Sequence, residues 1–206
     1  MGLRKLGALH LDFIPFRYYI PCMKIAITGH TEGIGKAIAE ACMDAGHEVV
    51  GFSRATGYHL FKDIELVVAE AEACDVFVNN RYNYNYEQSG QLELLYRMFE
   101  TWQGQDKRII NISSRSGTYT SRGEIDRYAV YKNAIDTACD QLTGRRDKRP
   151  RITNIKPGYV DTDSVKHVTE FPKLAPENIA DAVMWSLNQP AMVHIAVISL
   201  GAMQFG

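Results

Sequence analysis

The run Lys24-Ile25-Ala26-Ile27-Thr28-Gly29-His30-Thr31-Glu32-Gly33-Ile34-Gly35 passes from a short apolar stretch through a polar turn into Lys36-Ala37-Ile38-Ala39. It reads as strand, Gly-rich turn and helix, the opening of a dinucleotide-binding βαβ unit. Gly29 allows the sharp exit from the strand, Gly33 leaves room for backbone to approach a pyrophosphate, and Gly35 lets the helix pack close to the sheet. Phosphates would then sit on free N–H groups at the positive end of that helix. Further along, Tyr128 and Lys132 stand four apart on a predicted helix and share a face. Taken alone, that spacing describes a surface pair. However, Ile109-Ile110-Asn111-Ile112-Ser113-Ser114-Arg115-Ser116-Gly117 is a strand ending in hydroxyls, Ile155-Lys156-Pro157-Gly158-Tyr159-Val160-Asp161-Thr162 is a strand followed by a turn, and Asn79-Asn80 closes another apolar run. Ligands of an open α/β sheet bind at the carboxyl ends of its strands, so these groups converge on one rim.

The tip of the second strand bears on the choice of dinucleotide. A domain that prefers NAD places an acidic residue about 20 positions past the Gly-rich turn, where it accepts hydrogen bonds from the ribose 2′-OH. Here Val49-Val50-Gly51-Phe52-Ser53-Arg54 carries no carboxylate. Ser53 can donate to a 2′-phosphate and Arg54 offers a planar fork to it, which points to NADP (NADPH) over NAD.

These groups need a scaffold, and the hydrophobic pattern supplies one. Strands are predicted over Met23 to Thr28, His47 to Phe52, Asp75 to Asn79, Arg108 to Ser113, Ile152 to Ile155 and Val193 to Ser199. Helices are predicted over Ile34 to Ala45 (closed by Gly46), Ile64 to Ala73, Gln88 to Trp102, Ile125 to Leu142 and Pro176 to Leu187. Between Ala55 and Glu65 a vestigial strand near His59-Leu60 is one option. Alternating β and α elements imply a Rossmann-type, doubly wound parallel β-sheet with helices on both faces.

At 206 residues, with 46% hydrophobic residues and a formal net charge of -1, the expected unit is a single domain with no global charge for nucleic acid or membrane binding. Residues 1–22 do not match this pattern and read as a disordered or loosely docked extension, with a docking arm as the alternative; 23–206 form the domain. The apolar runs of the extension are too short for a signal peptide or a membrane span. Cys22, Cys42, Cys74 and Cys139 lie far apart, as expected of reduced thiols in a cytoplasmic protein, and no His/Cys spacing suggests a metal site.

With these residues assembled, the chain resembles the short-chain dehydrogenase/reductase family over essentially all of Lys24 to Gly201. The turn matches the family's Thr-Gly-x-x-x-Gly-x-Gly motif. Ser114, Tyr128 and Lys132 match its catalytic Ser and Tyr-x-x-x-Lys, and Pro157-Gly158 with Thr162 matches the turn that closes over the nicotinamide. The resemblance implies an NADP(H)-dependent oxidoreductase interconverting a carbonyl and an alcohol. Tyr128 would be the general acid/base, Lys132 would favour the phenolate and hold the nicotinamide ribose, and Ser114 would bind the substrate oxygen, with Ser113 and Ser116 as fallbacks. Cofactor contacts are expected from Gly29, Thr31, Glu32, Gly33, Ile34 and Gly35, from Ser53, Arg54 and Asn79, from Tyr128 and Lys132, and from Pro157, Gly158, Val160 and Thr162. The expected partners are a small-molecule substrate and further copies of the chain, as a homodimer or homotetramer.

The chain departs from the family pattern in several places. Where the family has Asn-Asn-Ala-Gly, this chain has Asn79-Asn80-Arg81-Tyr82, and the family's extra catalytic Asn has no clear counterpart around Gly90-Gln91. For the adenine-contacting Asp, His59-Leu60 and Asp63-Ile64 are both possible alignments. The segment after Thr162 is short, so an open site is expected. Tyr82-Asn83-Tyr84-Asn85-Tyr86 suits a substrate pocket, a subunit contact or a solvent-facing loop. Arg145-Arg146-Asp147-Lys148-Arg149-Pro150-Arg151 suits a solvated helix terminus, with a nucleic-acid patch as the alternative. The rival from another class is a non-enzymatic dinucleotide-binding sensor or scaffold. An epimerase or dehydratase would more often show Gly-x-x-Gly-x-x-Gly.

Overall fold

The computed structural model describes residues 21–59, 62–82, 89–118, 125–145 and 149–203. Six strands, β1 (Lys24–Thr28), β2 (Glu48–Phe52), β3 (Val76–Asn79), β4 (Arg108–Ile112), β5 (Arg151–Pro157) and β6 (Val197–Leu200), form one sheet in the order β2-β1-β3-β4-β5-β6. Every neighbouring pair is parallel. The helices between them are α1 (Gly33–Asp44), α2 (Ile64–Ala71), α3 (Ser89–Thr101), α4 (Arg127–Thr143) and α5 (Pro176–Leu187).

Alternation along each strand builds two apolar layers, because successive side chains leave opposite faces of a sheet. Ile25, Ile27, Val76, Val78, Ile110 and Ile112 pack in a cluster with Ile38 and Cys42 of α1 and with Ile179 and Val183 of α5. Ala26, Phe77, Ile109 and Ile152 pack in a second cluster with Val67 of α2, with Leu95, Met98 and the adjoining Trp102 of α3, and with Ile135 of α4. Both faces of the central sheet are therefore covered, which is why β1, β3 and β4 read as near-continuous apolar runs. Burial pushes the thiols of Cys42 and Cys139 well above their ordinary range, leaving them as packing groups.

The second layer also holds a polar seam. Asn79, Asn111 and Asn154 are register partners on β3, β4 and β5. Asn79 Nδ2 donates to Asn111 Oδ1 at 3.1 Å, Asn111 Nδ2 to Asn154 Oδ1 at 3.0 Å, and Asn154 Nδ2 to Asp136 Oδ1 at 2.8 Å. On α4, Asp136 also accepts from Ser113 Oγ at 2.6 Å and pairs with Lys156 Nζ at 2.6 Å. Such a network ties the position of α4 to three strands at once, since each broken link leaves a buried polar group costing about 1–3 kcal/mol.

Three expectations change here. Among the described residues no strand lies between β2 and β3; Leu60, half of the suggested vestigial strand, falls outside them. The last strand begins at Val197 rather than Val193: Ala196 O still accepts from Asn154 N–H at 2.9 Å, but one residue earlier Ile195 O takes the Thr153 hydroxyl at 2.7 Å instead of a backbone N–H. Strand β5 continues through Pro157, which is the register partner of Leu200, so Pro157 ends a strand and the turn starts at Gly158. The amino-terminal residues 1–20 lie outside the described residues, and the chain enters β1 through Met23, whose N–H donates to His47 Nδ1 at 3.2 Å.

Among the described residues no helix is long and apolar enough to cross a membrane, and no His/Cys/Asp/Glu group is arranged to hold a metal ion. In the basic segment, Arg145 lies 5.6 Å from the centre of the Phe99 ring and Arg151 pairs with Asp106 at 2.9 Å; residues 146–148 lie outside the described residues. The two ends of that run are thus occupied within the fold.

Candidate active site

The chain steps from β1 outward to β2 and then returns to place β3 on the other side of β1. This reversal opens a crevice at the carboxyl ends of β1 and β3, the place where open α/β sheets take ligands. A cavity of about 370 Å³ lies there. One wall is the Gly-rich turn, with Gly29, Glu32, Gly33 and Ile34; another is Asn80, Arg81 and Tyr82 beyond β3. The floor and far side come from Ile112, Ser113, Tyr128 and Lys132, and Thr162, Asp163 and Ser164 complete it, with Arg54 at the tip of β2.

The turn is shaped by what a side chain would strike. Gly29 has φ +71°, in the left-handed region, and a Cβ on Gly35 would lie 2.1 Å from Gly29 O. Helix α1 can therefore approach β1 only with glycine at position 35. Glu32 stands at the N-cap of α1 without capping it through its side chain, so its carboxylate does not occupy the first-turn N–H groups. An uncapped helix start behind a glycine cradle fits a pyrophosphate.

Lys132 is the most constrained group of the site. It is 2% exposed, and its Nζ donates to Gln91 Oε1 at 2.8 Å and to Ile112 O at 3.0 Å. The ammonium lies 5.0 Å from the centre of the Tyr82 ring and 5.7 Å from that of Tyr128, whose rings meet edge to face at 4.9 Å. Burial lowers the Lys132 pKa from its ordinary 10.5 to about 7, against the weaker opposing pull of Asp136. Two neutral acceptors and two rings thus surround an amine whose charged form burial disfavours.

Gln91 is the member of this cluster that the sequence pattern hides. Its side chain is buried; Nε2 donates to Asn79 O at 2.8 Å and to Ile112 O at 2.9 Å, which turns Oε1 toward Lys132. The available signal was a polar residue on the stripe of α3 that buries Leu94, Leu95, Met98 and Trp102. Replacing Gln91 by Glu should place a carboxylate against Lys132 and raise its pKa. The limb of the pH–rate profile reporting Lys132 should then move alkaline by about one pH unit or more. An unmoved limb in a folded Gln91→Glu variant would show that Gln91 does not set this charge.

The other expected site residues divide. Arg54, Glu32, Gly33, Ile34, Thr162, Tyr128 and Lys132 line the cavity with Gly29; Thr31, Gly35, Ser53, Asn79, Ser114, Pro157, Gly158 and Val160 do not. Asn79 is wholly buried with its Nδ2 donating to Gln91 O (2.8 Å) and Asn111 Oδ1 while its Oδ1 has no hydrogen-bond partner among the described residues, and Asn80 takes the rim position beside it. Ser53 is bound in its own turn, its N–H donating to Thr56 Oγ1 at 3.0 Å. Val160 packs in the first apolar layer, and Gly158 donates its N–H to Leu200 O at 2.8 Å. Asp63 is engaged with its own turn, its Oδ2 accepting from His59 N at 2.7 Å. Among the serines, the Ser113 hydroxyl is given to Asp136, whereas Ser114 Oγ accepts from Ser116 N at 3.1 Å and so keeps its own proton to donate. Of the tyrosine-rich stretch, Tyr82 faces the cavity; residues 83–86 lie outside the described residues.

No family model matches the chain. An uncharacterized oxidoreductase of Staphylococcus aureus (strain USA300) is 34% identical over 95 residues, 45% of this chain and 41% of that protein. The chain thus matches about two-fifths of the length of this curated relative. Among solved structures, a short chain dehydrogenase from Burkholderia cenocepacia in complex with NADP superposes with a TM-score of 0.68 at 20% identity, covering 87% of this chain and 88% of that one. The 3-alpha-hydroxysteroid dehydrogenase of a Pseudomonas species, complexed with NADH, gives 0.65 at 19% identity over 86% and 95%. The chain has the fold of the short-chain dehydrogenases.

Proposed function

We propose that this chain is a member of the short-chain dehydrogenase/reductase family, an NADP(H)-dependent oxidoreductase that interconverts a carbonyl and an alcohol. The observation that carries the reading is one cavity lined both by the glycine turn at the start of α1 and by Tyr128 and Lys132 of α4. A bound nicotinamide dinucleotide would supply or accept the hydride. The protein must then supply a proton: reduction turns the carbonyl oxygen into an alkoxide, and Tyr128 gives its phenolic proton to that oxygen. In the reverse direction the phenolate takes the alcohol proton. A free phenol, with pKa about 10, is a poor base at neutral pH, so a nearby Lys132 ammonium favours the phenolate. Ser114, its Oγ fixed by Ser116 N–H, would donate to the substrate oxygen and polarise it; it stands next to the cavity-lining Ser113, whose own hydroxyl is given to Asp136. Gln91 and Ile112 O hold the Lys132 amine in place.

Arg54 at the cavity edge would take the 2′-phosphate. Its replacement by Ala should weaken NADPH binding by roughly 1.5–3 kcal/mol and leave NADH nearly untouched. Titration of both nucleotides against parent and variant tests this, and equal losses would rule it out. The activity itself is tested by following NADPH consumption across a panel of ketones, aldehydes and 3-oxoacyl thioesters.

A further inference from the structure

Arg81 leaves β3 at the crevice beside β1 and is tied there, its N–H donating to Thr28 Oγ1 at 3.0 Å. Its side chain crosses the first glycine of the turn, since a Cβ on Gly29 would lie 3.2 Å from Arg81 Cδ. Nη1 then donates to Glu32 Oε1 at 2.9 Å, with the arginine side chain 24% exposed and the glutamate 67% exposed. This pair bridges the two lips of the cavity directly over the glycines. Glu32 stands where a side chain would ordinarily cap α1, yet it pairs with Arg81 and leaves the helix uncapped. An acidic residue at this helix start is also of the wrong sign for a site that receives phosphate.

We infer that Arg81 and Glu32 form a latch over the pyrophosphate groove, in which Arg81 exchanges the Glu32 carboxylate for a phosphate oxygen of the entering dinucleotide. The inference rests on the dinucleotide reading above. An ion pair with one partner mostly in water is weak, so the exchange costs little, and Glu32 returns to solvent. A guanidinium on phosphate is the stronger, charge-assisted contact. Arg81 lies over Gly29, where a pyrophosphate would pass, whereas Arg54 lies at the tip of β2, where the adenosine ribose would sit. Their signatures should therefore differ: Arg54 separates NADPH from NADH, and Arg81 serves both.

The test is fluorescence titration of NADH and NADPH against the full chain and its Arg81→Ala and Glu32→Gln variants at one ionic strength. Arg81→Ala should weaken both nucleotides by a similar factor, about tenfold or more. Glu32→Gln should tighten both, by about three- to tenfold, through loss of the competing carboxylate; a gain of affinity cannot come from misfolding. Unchanged affinities in Arg81→Ala, or weaker binding in Glu32→Gln, would overturn the latch. Loss confined to NADPH in Arg81→Ala would put Arg81 on the 2′-phosphate and overturn it as stated. If the parent bound neither nucleotide, the dinucleotide reading and the latch would both fall.

Discussion

A Tyr128→Phe variant is expected to turn over its best carbonyl substrate about 10²–10⁴ times more slowly than the parent, the usual contribution of a positioned general acid. NADPH affinity should change little, because the phenyl ring keeps the edge-to-face contact that Tyr128 makes with Tyr82 at 4.9 Å. The loss should therefore appear in kcat and kcat/KM together, the mark of an interaction made in the transition state. Equal turnover by parent and variant would remove Tyr128 from the proton path and transfer that role to another hydroxyl of the cavity, Tyr82 first.

The second large effect concerns Lys132, and it is visible without substrate. With its pKa lowered by burial from 10.5 to about 7, the folded protein binds fewer protons than the unfolded chain across that interval. Stability rises with pH wherever the unfolded state holds more protons, so the cost of the buried ammonium is in full force below about 7 and fades as pH approaches 10.5. Replacement by Met removes the titrating group. The stability of the parent minus that of Lys132→Met should climb by on the order of 2–5 kcal/mol between those limits, each tenfold change in proton affinity being worth about 1.4 kcal/mol. Denaturant unfolding of both proteins across the interval measures it, and the difference cancels every other titration the two share. A flat or falling difference would mean that Gln91, Ile112 O and the two rings fully stabilise the ammonium. Turnover by Lys132→Met should also fall by at least about 10².

The fold was legible because its central strands β1, β3, β4 and β5 are buried on both faces. Runs such as Val76 to Val78 and Ile109 to Ile112 admit few alternatives when helical periods separate them. Its limits were local: the run from Val193 looked like strand, but Thr153 Oγ1 serves the carbonyl of Ile195 before the ladder begins. In the site, glycine spacing and the Tyr-x-x-x-Lys spacing were readable because each is set within one element. Gln91 with Lys132, and Arg81 with Glu32, were not readable as pairs. Their members are far apart in sequence and meet only when the carboxyl ends of β1, β3 and β4 are brought side by side. Asn79 shows the same limit from the other side: its position at a strand end suggested a ligand contact, and only the register of β3, β4 and β5 reveals the asparagine seam that takes its Nδ2 while leaving its Oδ1 without a partner among the described residues.

The central claim is that the cavity moves a hydride between a dinucleotide and a carbonyl carbon, with Tyr128 handling the proton. The most direct measurement uses NADPH deuterated at the transferable position of the nicotinamide, incubated with the protein and the carbonyl panel, with products read by mass spectrometry. The account predicts an alcohol carrying deuterium at the carbinol carbon from the parent protein, and a loss of that product by about 10² or more with Tyr128→Phe. Stoichiometric NADPH binding with no labelled alcohol from any carbonyl, or labelled alcohol formed equally fast by Tyr128→Phe, would contradict it.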